Sequence, residues 1–382
     1  MLARSLVLPK VPTESFFLWG PRQVGKSSLL AATYGEARTI DLLLGEEYAR
    51  YLQNPGRLRD ELRDAERGSL VVIDEVQKVP ALLDEVHWLI EKRGICFAMC
   101  GSSARKVRRG HANLLGGRAL RCELFGLVSE ELGDAFDVVR MANHGTLPRH
   151  YLAERPGKRL QAYVDDYLKE EIAAEALVRN LPAFAGFLRA AAIGDTELVN
   201  FVNIARECGI SAPTVKDHYG ILEDTLLGRF LPAFTARPKR RAILAPKFYF
   251  ADVGVVNHLT RRGEVAPGSE LFGKALENVI HHELCAFREY RDRTWGMAFW
   301  RLASGVEVDF VLGDAEVAIE VKSTGNVGTA QLAGLGSFAD EYPEVRRRIL
   351  VCMEPKRRRL ESGIEVMPVT VFLRELWAGR IA

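Results

Sequence analysis

The chain has 382 residues, of which 48% are hydrophobic and 27% charged, with a formal net charge of +2. At roughly 150 residues per domain this predicts two or three folded domains with sizeable cores and argues against long disorder. The near-neutral charge sum points to no partner class, so any contact with nucleic acid must come from local patches, and no apolar run approaches the ~20 residues of a membrane span.

The first residues carry Arg4 and Lys10 around Pro9 with no long apolar stretch between them, so no secretory signal is expected. Cys96, Cys100, Cys122, Cys208, Cys285 and Cys352 form no Cys-x-x-Cys pair. They are expected to be buried, reduced thiols of a cytoplasmic protein.

The first third alternates short apolar runs, 16–19, 39–42, 70–73 and 95–100, with helical patterns. Short apolar runs bounded by turns predict parallel strands buried on both faces, hence an α/β fold. Between the first run and a helical stretch starting at Ser28 lies Gly20-Pro21-Arg22-Gln23-Val24-Gly25-Lys26-Ser27, which fits the pattern G-x-x-x-x-G-K-S. The glycines let backbone N–H groups converge on phosphate oxygens at the positive end of the following helix. Lys26 is expected to reach the β- and γ-phosphates of ATP, and the Ser27 hydroxyl to ligate Mg²⁺.

The second half of such a site is an acid at the end of a buried strand, supplied by Leu70-Val71-Val72-Ile73-Asp74-Glu75. Asp74 would hold Mg²⁺ through water or Ser27, and Glu75 would act as the general base on the attacking water. The run 95–100 ends in Gly101-Ser102-Ser103. Ser102, with Ser103 close behind, is expected to orient the water or touch the γ-phosphate, the alternative being a helix N-cap. Beyond it come Arg105, Lys106, Arg108, Arg109, Arg118 and Arg121. Arg118, in Gly116-Gly117-Arg118, is the best placed to act as an arginine finger across a subunit interface; a solvated surface residue is the alternative.

These motifs resemble a family of prokaryotic AAA-superfamily ATPases whose C-terminal domain has long been labelled as of unknown function. The resemblance also takes in Ile73-Asp74-Glu75-Val76-Gln77, Gly117-Arg118-Ala119-Leu120, Gly145-x-x-Pro148 and Tyr167-Leu168-x-x-Glu171-Ile172. It implies a five-stranded core sheet, ATP as ligand and self-association into a homo-oligomer.

Residues 196–230 pattern as a helix, a turn at Cys208-Gly209-Ile210 and a second helix capped by Ser211, similar to winged helix-turn-helix modules. The exposed positions of the second helix mix Lys216 with Asp217, Glu223 and Asp224, so a packing module that reads no DNA sequence stays open. The neighbouring Arg237-Pro238-Lys239-Arg240-Arg241 could still grip phosphates.

Near the C-terminus, 306–310 and 317–322 both alternate with period two around Gly313-Asp314. A two-residue Gly-Asp turn would pair Phe310 with Val317 and Val308 with Ile319, leaving Glu307 opposite Glu320 and Asp309 diagonal to it. Facing acids call for a cation. Asp309, then Glu320-x-Lys322, with Glu277 on an upstream helix, resembles the PD-(D/E)XK nuclease fold. That resemblance implies Mg²⁺ or Mn²⁺ on Asp309, Glu320 and Glu277, with Lys322 orienting or deprotonating the hydrolytic water. His281 and His282 share the Glu277 helix and are expected on its surface. The clusters 346–348 and 356–359 add local positive charge that favours a polyanion such as DNA, solvated loops being the alternative.

The expected organisation is a P-loop AAA-type ATPase core at 1–128, a helical lid at 129–195, a winged-helix-like module at 196–250 and a nuclease-like α/β domain at 251–382. The expected activity is ATP binding and hydrolysis coupled to a domain that acts on or binds nucleic acid. The alternative is a nucleotide-gated DNA- or protein-binding regulator that has lost cleavage.

Overall fold

The computed structural model describes residues 2–9, 13–103, 115–165, 178, 180–235 and 243–382. Arg105, Lys106, Arg108, Arg109, the 167–172 motif and the basic run 237–241 lie outside the described residues. The chain divides into two compact units, one of 4–125 with 224–227 and one of 126–223 and 228–382 with the residues before Arg4.

The first unit is a five-stranded sheet of β1 (Ser15–Trp19), β2 (Arg38–Asp41), β3 (Leu70–Asp74), β4 (Cys96–Gly101) and β5 (Ala119–Glu123), ordered β2-β3-β4-β1-β5. All four pairings are parallel. Helix α1 (Lys26–Tyr34) leaves the tip of β1, and a second helix (Leu82–Arg93), here α2, joins β3 to β4. The inner strands are apolar on both faces because helices cover both. Phe17, Ile73, Phe97 and Met99 sit in one core with Leu82, Val86 and Leu89 of α2. Truncating one of these to alanine should cost about 2–5 kcal/mol. The strand order sets β4 between β1 and β3, with Trp19 level with Gly101 and Ile73 level with Met99. The phosphate loop, the acidic tip and Ser102 therefore share the carboxyl edge of the sheet, where ligands bind in open parallel folds.

In the second unit, helices Phe201–Cys208 and Ala212–Asp224 are joined through Gly209, whose φ of 65° permits the tight turn. Ser211 Oγ accepts from the Thr214 N–H at 3.2 Å and caps the second helix. An antiparallel ribbon follows, β6 (Gly228–Leu231) with β7 (Lys247–Phe250). Lys216 Nζ lies over the Phe201 ring, 5.3 Å from its centroid.

Helix Glu270–Tyr290 then precedes a six-stranded mixed sheet ordered β12-β13-β11-β10-β9-β8, formed by Met297–Arg301 (β8), Glu307–Leu312 (β9), Val317–Val321 (β10), Arg347–Cys352 (β11), Arg358–Arg359 (β12) and Glu365–Pro368 (β13). The β9–β10 register corrects the expected hairpin. Leu312 pairs with Val317 and Phe310 with Ile319, so the connection has four residues, Gly313 to Glu316, rather than two. Gly313 and Ala315 take positive φ (62° each), and the Glu316 N–H closes on Leu312 O at 3.0 Å. The shift is by two, so every side chain keeps its face. It sets buried Val311 opposite Ala318 and Leu312 opposite Val317.

Buried carboxylates tie this unit together. Glu283 accepts from Ser129 N at 2.7 Å, Ser129 Oγ at 3.0 Å and Trp377 Nε1 at 2.6 Å. Asp252 accepts from the N–H groups of Thr146 at 2.6 Å and Leu147 at 3.0 Å. A Cβ on Gly145 would overlap the Asp252 carboxylate, which accounts for the glycine in Gly145-x-x-Pro148. His281 and His282 are buried, contrary to expectation. The His281 ring stacks on Tyr249, 4.0 Å between centroids.

Candidate functional site

Residues 20–25 curl between β1 and α1. Gly25 takes a φ of 100° and Gln23 one of 65°, the left-handed region that turns successive N–H groups inward. Gly20 has no room for a side chain, since a Cβ there would overlap Leu124 O. Lys26, buried at 6% exposure, donates from Nζ to Gly20 O at 2.8 Å and Pro21 O at 3.0 Å. Burial lowers its pKa, against the raising pull of Glu75, Cys100 and Asp74. Pro21 and Val24 are buried, Arg22 is half-buried, and Ser27 and Ser28 are both exposed. Arg4, which the motif does not include, fixes the loop from behind, donating to Val24 O at 2.5 Å and Phe125 O at 2.7 Å.

Asp74 and Glu75 are both buried at the tip of β3. Cys100 Sγ donates to Asp74 Oδ1 at 2.6 Å, and burial, reinforced by Asp74, pushes the thiol well up so that it stays a neutral donor. Glu75 adopts a left-handed φ of 57°, a strained backbone for a residue with a side chain. Gln77 Nε2 donates to Glu75 Oε2 at 2.5 Å and to Ser102 Oγ at 3.2 Å. Gly101 makes room for that amide: a Cβ there would overlap Gln77 Oε1. Lys26, Asp74, Glu75 and Ser102 thus converge, with Gln77, which closes the acidic segment and had no role assigned to it, as the link. Ser103 donates to Asp224 O at 3.4 Å instead. Arg118 stands apart, ion-paired with Glu91 of α2 at 39% exposure. The set of a serine hydroxyl and an aspartate suits Mg²⁺, a hard cation that takes oxygen ligands alongside phosphate.

A second polar cluster lies in the other unit. Lys247 Nζ stands 3.0 Å from Glu277 Oε1 and 3.5 Å from Asp309 Oδ1, with 3% of its side chain exposed. Tyr249 OH donates to the same Glu277 oxygen at 2.6 Å, and the Val321 N–H to Asp309 Oδ2 at 2.8 Å. Lys322 Nζ pairs with Glu320 Oε1 at 2.5 Å. Glu320 Oε2 is buried with no hydrogen-bond partner. Glu307, expected opposite Glu320, pairs with Arg301 of β8 at 2.9 Å.

Burial raises the Glu277 carboxyl, and although Lys247 pulls it back it settles at about 7. Burial and then Asp309 push Glu320 well above the usual range. Burial works against the Lys247 ammonium, but Glu277 and Asp309 more than reverse it and hold the charge. Glu277, Asp309, Glu320 and Lys322 do converge, around a lysine that sequence reasoning missed. Its signal was a lone charge opening the otherwise aromatic strand Lys247-Phe248-Tyr249-Phe250.

The basic clusters near this unit are largely engaged. Arg347 and Arg357 both bind Glu365, at 2.9 and 2.6 Å, and Arg358 binds Glu354 at 2.9 Å. All six cysteines are free. Among the described residues no helix is long and apolar enough to cross a membrane.

Residues 13–133 match the family model of an AAA domain. Residues 136–265 match a domain of unknown function, DUF8612, and residues 272–372 another, DUF4143. No curated protein matches. Among solved structures, a Walker-type ATPase of Pyrococcus abyssi shares 15% identity over 64% of this chain and 90% of its own, with a TM-score of 0.44. A RuvB point variant of Thermotoga maritima shares 18% over 56% of this chain and 79% of its own, with a TM-score of 0.30. The ORC1 protein of Aeropyrum pernix in complex with DNA shares 14% over 65% of this chain and 87% of its own, with a TM-score of 0.27. The family match at 13–133, together with the parallel sheet and the loop at its carboxyl edge, makes the first unit a P-loop core of AAA type and supports ATP as its ligand.

Proposed function

We propose that the chain binds and hydrolyses ATP in its first unit and couples that cycle to a nuclease-like second unit that acts on or binds nucleic acid, with DNA favoured. The observation that carries the ATPase half is the meeting of Lys26, Asp74, Glu75 and Ser102 at one edge of the sheet. Residues 20–28 cradle the phosphates, with Lys26 neutralising their charge. Ser27 and Asp74 hold Mg²⁺, which when bound offsets the charge on the phosphate oxygens. Glu75 takes the proton of the attacking water, and Ser102, tied to Glu75 through Gln77, fixes that water's position. Arg118 serves as an arginine finger toward a neighbouring copy, which requires its pair with Glu91 to open. Six free thiols support a reducing compartment, the cytoplasm.

The helix pair with its antiparallel ribbon supports a winged-helix-like module. The hairpin bearing Asp309, Glu320 and Lys322 beside Glu277 supports a nuclease-like domain. Lys247 favours the second reading of that domain, a nucleic-acid-binding module without cleavage.

The test is ATP turnover by the wild type and Lys26→Ala, followed by incubation of supercoiled and branched DNA with Mg²⁺ or Mn²⁺. Turnover equal in both proteins would end the ATPase reading. Cleavage that survives Asp309→Ala and Glu320→Ala would remove the hairpin from the chemistry.

A further inference from the structure

Two of the three carboxylates that the nuclease-like reading assigns to a divalent ion, Glu277 and Asp309, already hold a cation belonging to the chain. Lys247 lies on β7, where its pairing with Leu231 fixes the backbone, and its ammonium reaches between Glu277 on the helix and Asp309 on β9 at 3.0 and 3.5 Å. The site is closed around it: Lys247 and Asp309 are each 3% exposed at the side chain, and the ammonium sits 5.7 Å from the centroid of the Phe299 ring. A second ammonium, Lys322, covers Glu320 Oε1.

A divalent ion of this class needs about six oxygen ligands at roughly 2.0–2.6 Å, several of them open to water. An ammonium on the same carboxylates fills the space between them and repels a second cation at a few ångströms, where little water screens it. Among the described residues no three His, Cys, Asp or Glu side chains are disposed to hold a metal. The residues as arranged do not fit the ion.

We propose that Lys247 is a tethered cation that takes the place of the divalent metal between Glu277 and Asp309, so that the wild-type acid cluster stays metal-free and serves binding rather than cleavage. This rests on the nuclease-like reading of the same residues. The ammonium brings one positive charge where the ion would bring two, and it offers no coordination position at which water could be activated. Glu320 Oε2, buried without a partner, is the vacant end of the arrangement. It is the oxygen a metal would draw in once Lys247 no longer holds Glu277 and Asp309, since a buried, unpaired carboxylate oxygen is costly.

The experiment is Mn²⁺ titration of the full chain without nucleotide, following free Mn²⁺ by electron paramagnetic resonance. It compares wild type, Asp309→Asn, Glu320→Gln, Lys247→Met and the double variant Lys247→Met/Asp309→Asn. The expected result is identical uptake by wild type and Asp309→Asn. Lys247→Met should gain one site, bound at least about tenfold more tightly, that the double variant loses. Uptake by wild type that Asp309→Asn or Glu320→Gln removes would overturn the proposal, and so would a folded Lys247→Met that gains no site. Should Lys247→Met not fold, the wild-type comparisons with Asp309→Asn and Glu320→Gln still decide. Metal uptake is read without nucleic acid, so its failure is distinct from that of the nuclease-like reading, which would show as an absence of salt-dependent DNA binding.

Discussion

The side-chain amide of Gln77 donates to the carboxylate of Glu75 at 2.5 Å. The acid held in a left-handed backbone at the tip of β3 is therefore oriented by a residue two positions on, which also reaches Ser102 at 3.2 Å. A base aimed at water must be fixed in direction as well as charge. Gln77→Ala should lower ATP turnover about tenfold or more while leaving ATP affinity within about threefold. Gly101→Ala, whose Cβ would displace the Gln77 amide, should do the same. Steady-state turnover paired with calorimetric ATP binding checks this; an equal loss in both quantities would make Gln77 merely structural.

Arg4 holds the back of the phosphate loop through the carbonyls of Val24 and Phe125. Arg4→Met keeps much of the packing volume and removes both bonds. At about 1 kcal/mol per hydrogen bond of this kind, ATP should bind about three- to thirtyfold more weakly. Unchanged affinity in calorimetry would show that the loop holds its shape without Arg4.

Glu283 is buried among three donors from Ser129 and Trp377. Burial raises its carboxyl from 4.5 to about 7, against the opposing pull of Trp377 and Ser129. A carboxyl whose folded pKa lies above its unfolded one favours the folded state when protonated. Its contribution is full below the unfolded value and falls away as pH rises through the folded one. The stability of wild type relative to Glu283→Gln should therefore decline by about 3 kcal/mol between acid and neutral pH. Urea midpoints across that range measure it, and a difference independent of pH would contradict it. Glu283→Ala, which leaves the donors unpaired, should cost about 3 kcal/mol or more at any pH.

Much of the first unit was legible because local pattern and global fold coincide there. Four apolar runs predicted four of the five parallel strands, and the loop motif fixed which strand end carries the chemistry. Arg4 and Gln77 escaped because each acts through a fold-dependent contact, one across 121 residues to Phe125 and one across 25 to Ser102. In the second unit the period-two alternation sorted the faces of β9 and β10 correctly. The turn is longer than expected because Ala315 takes a left-handed backbone that its residue type does not advertise. Lys247 was invisible for a related reason: its partners arrive from a helix 30 residues away and a strand 62 residues away.

The most direct measurement of the central claim is ATP binding and turnover by the purified full chain beside Lys26→Ala. Lys26 is the one buried ammonium in the phosphate loop. The account predicts that the wild type takes up ATP with Mg²⁺ and hydrolyses it, and that turnover in the variant falls by about a hundredfold or more. A wild-type chain that takes up no adenine nucleotide, or a variant that hydrolyses ATP as fast as its parent, would contradict it.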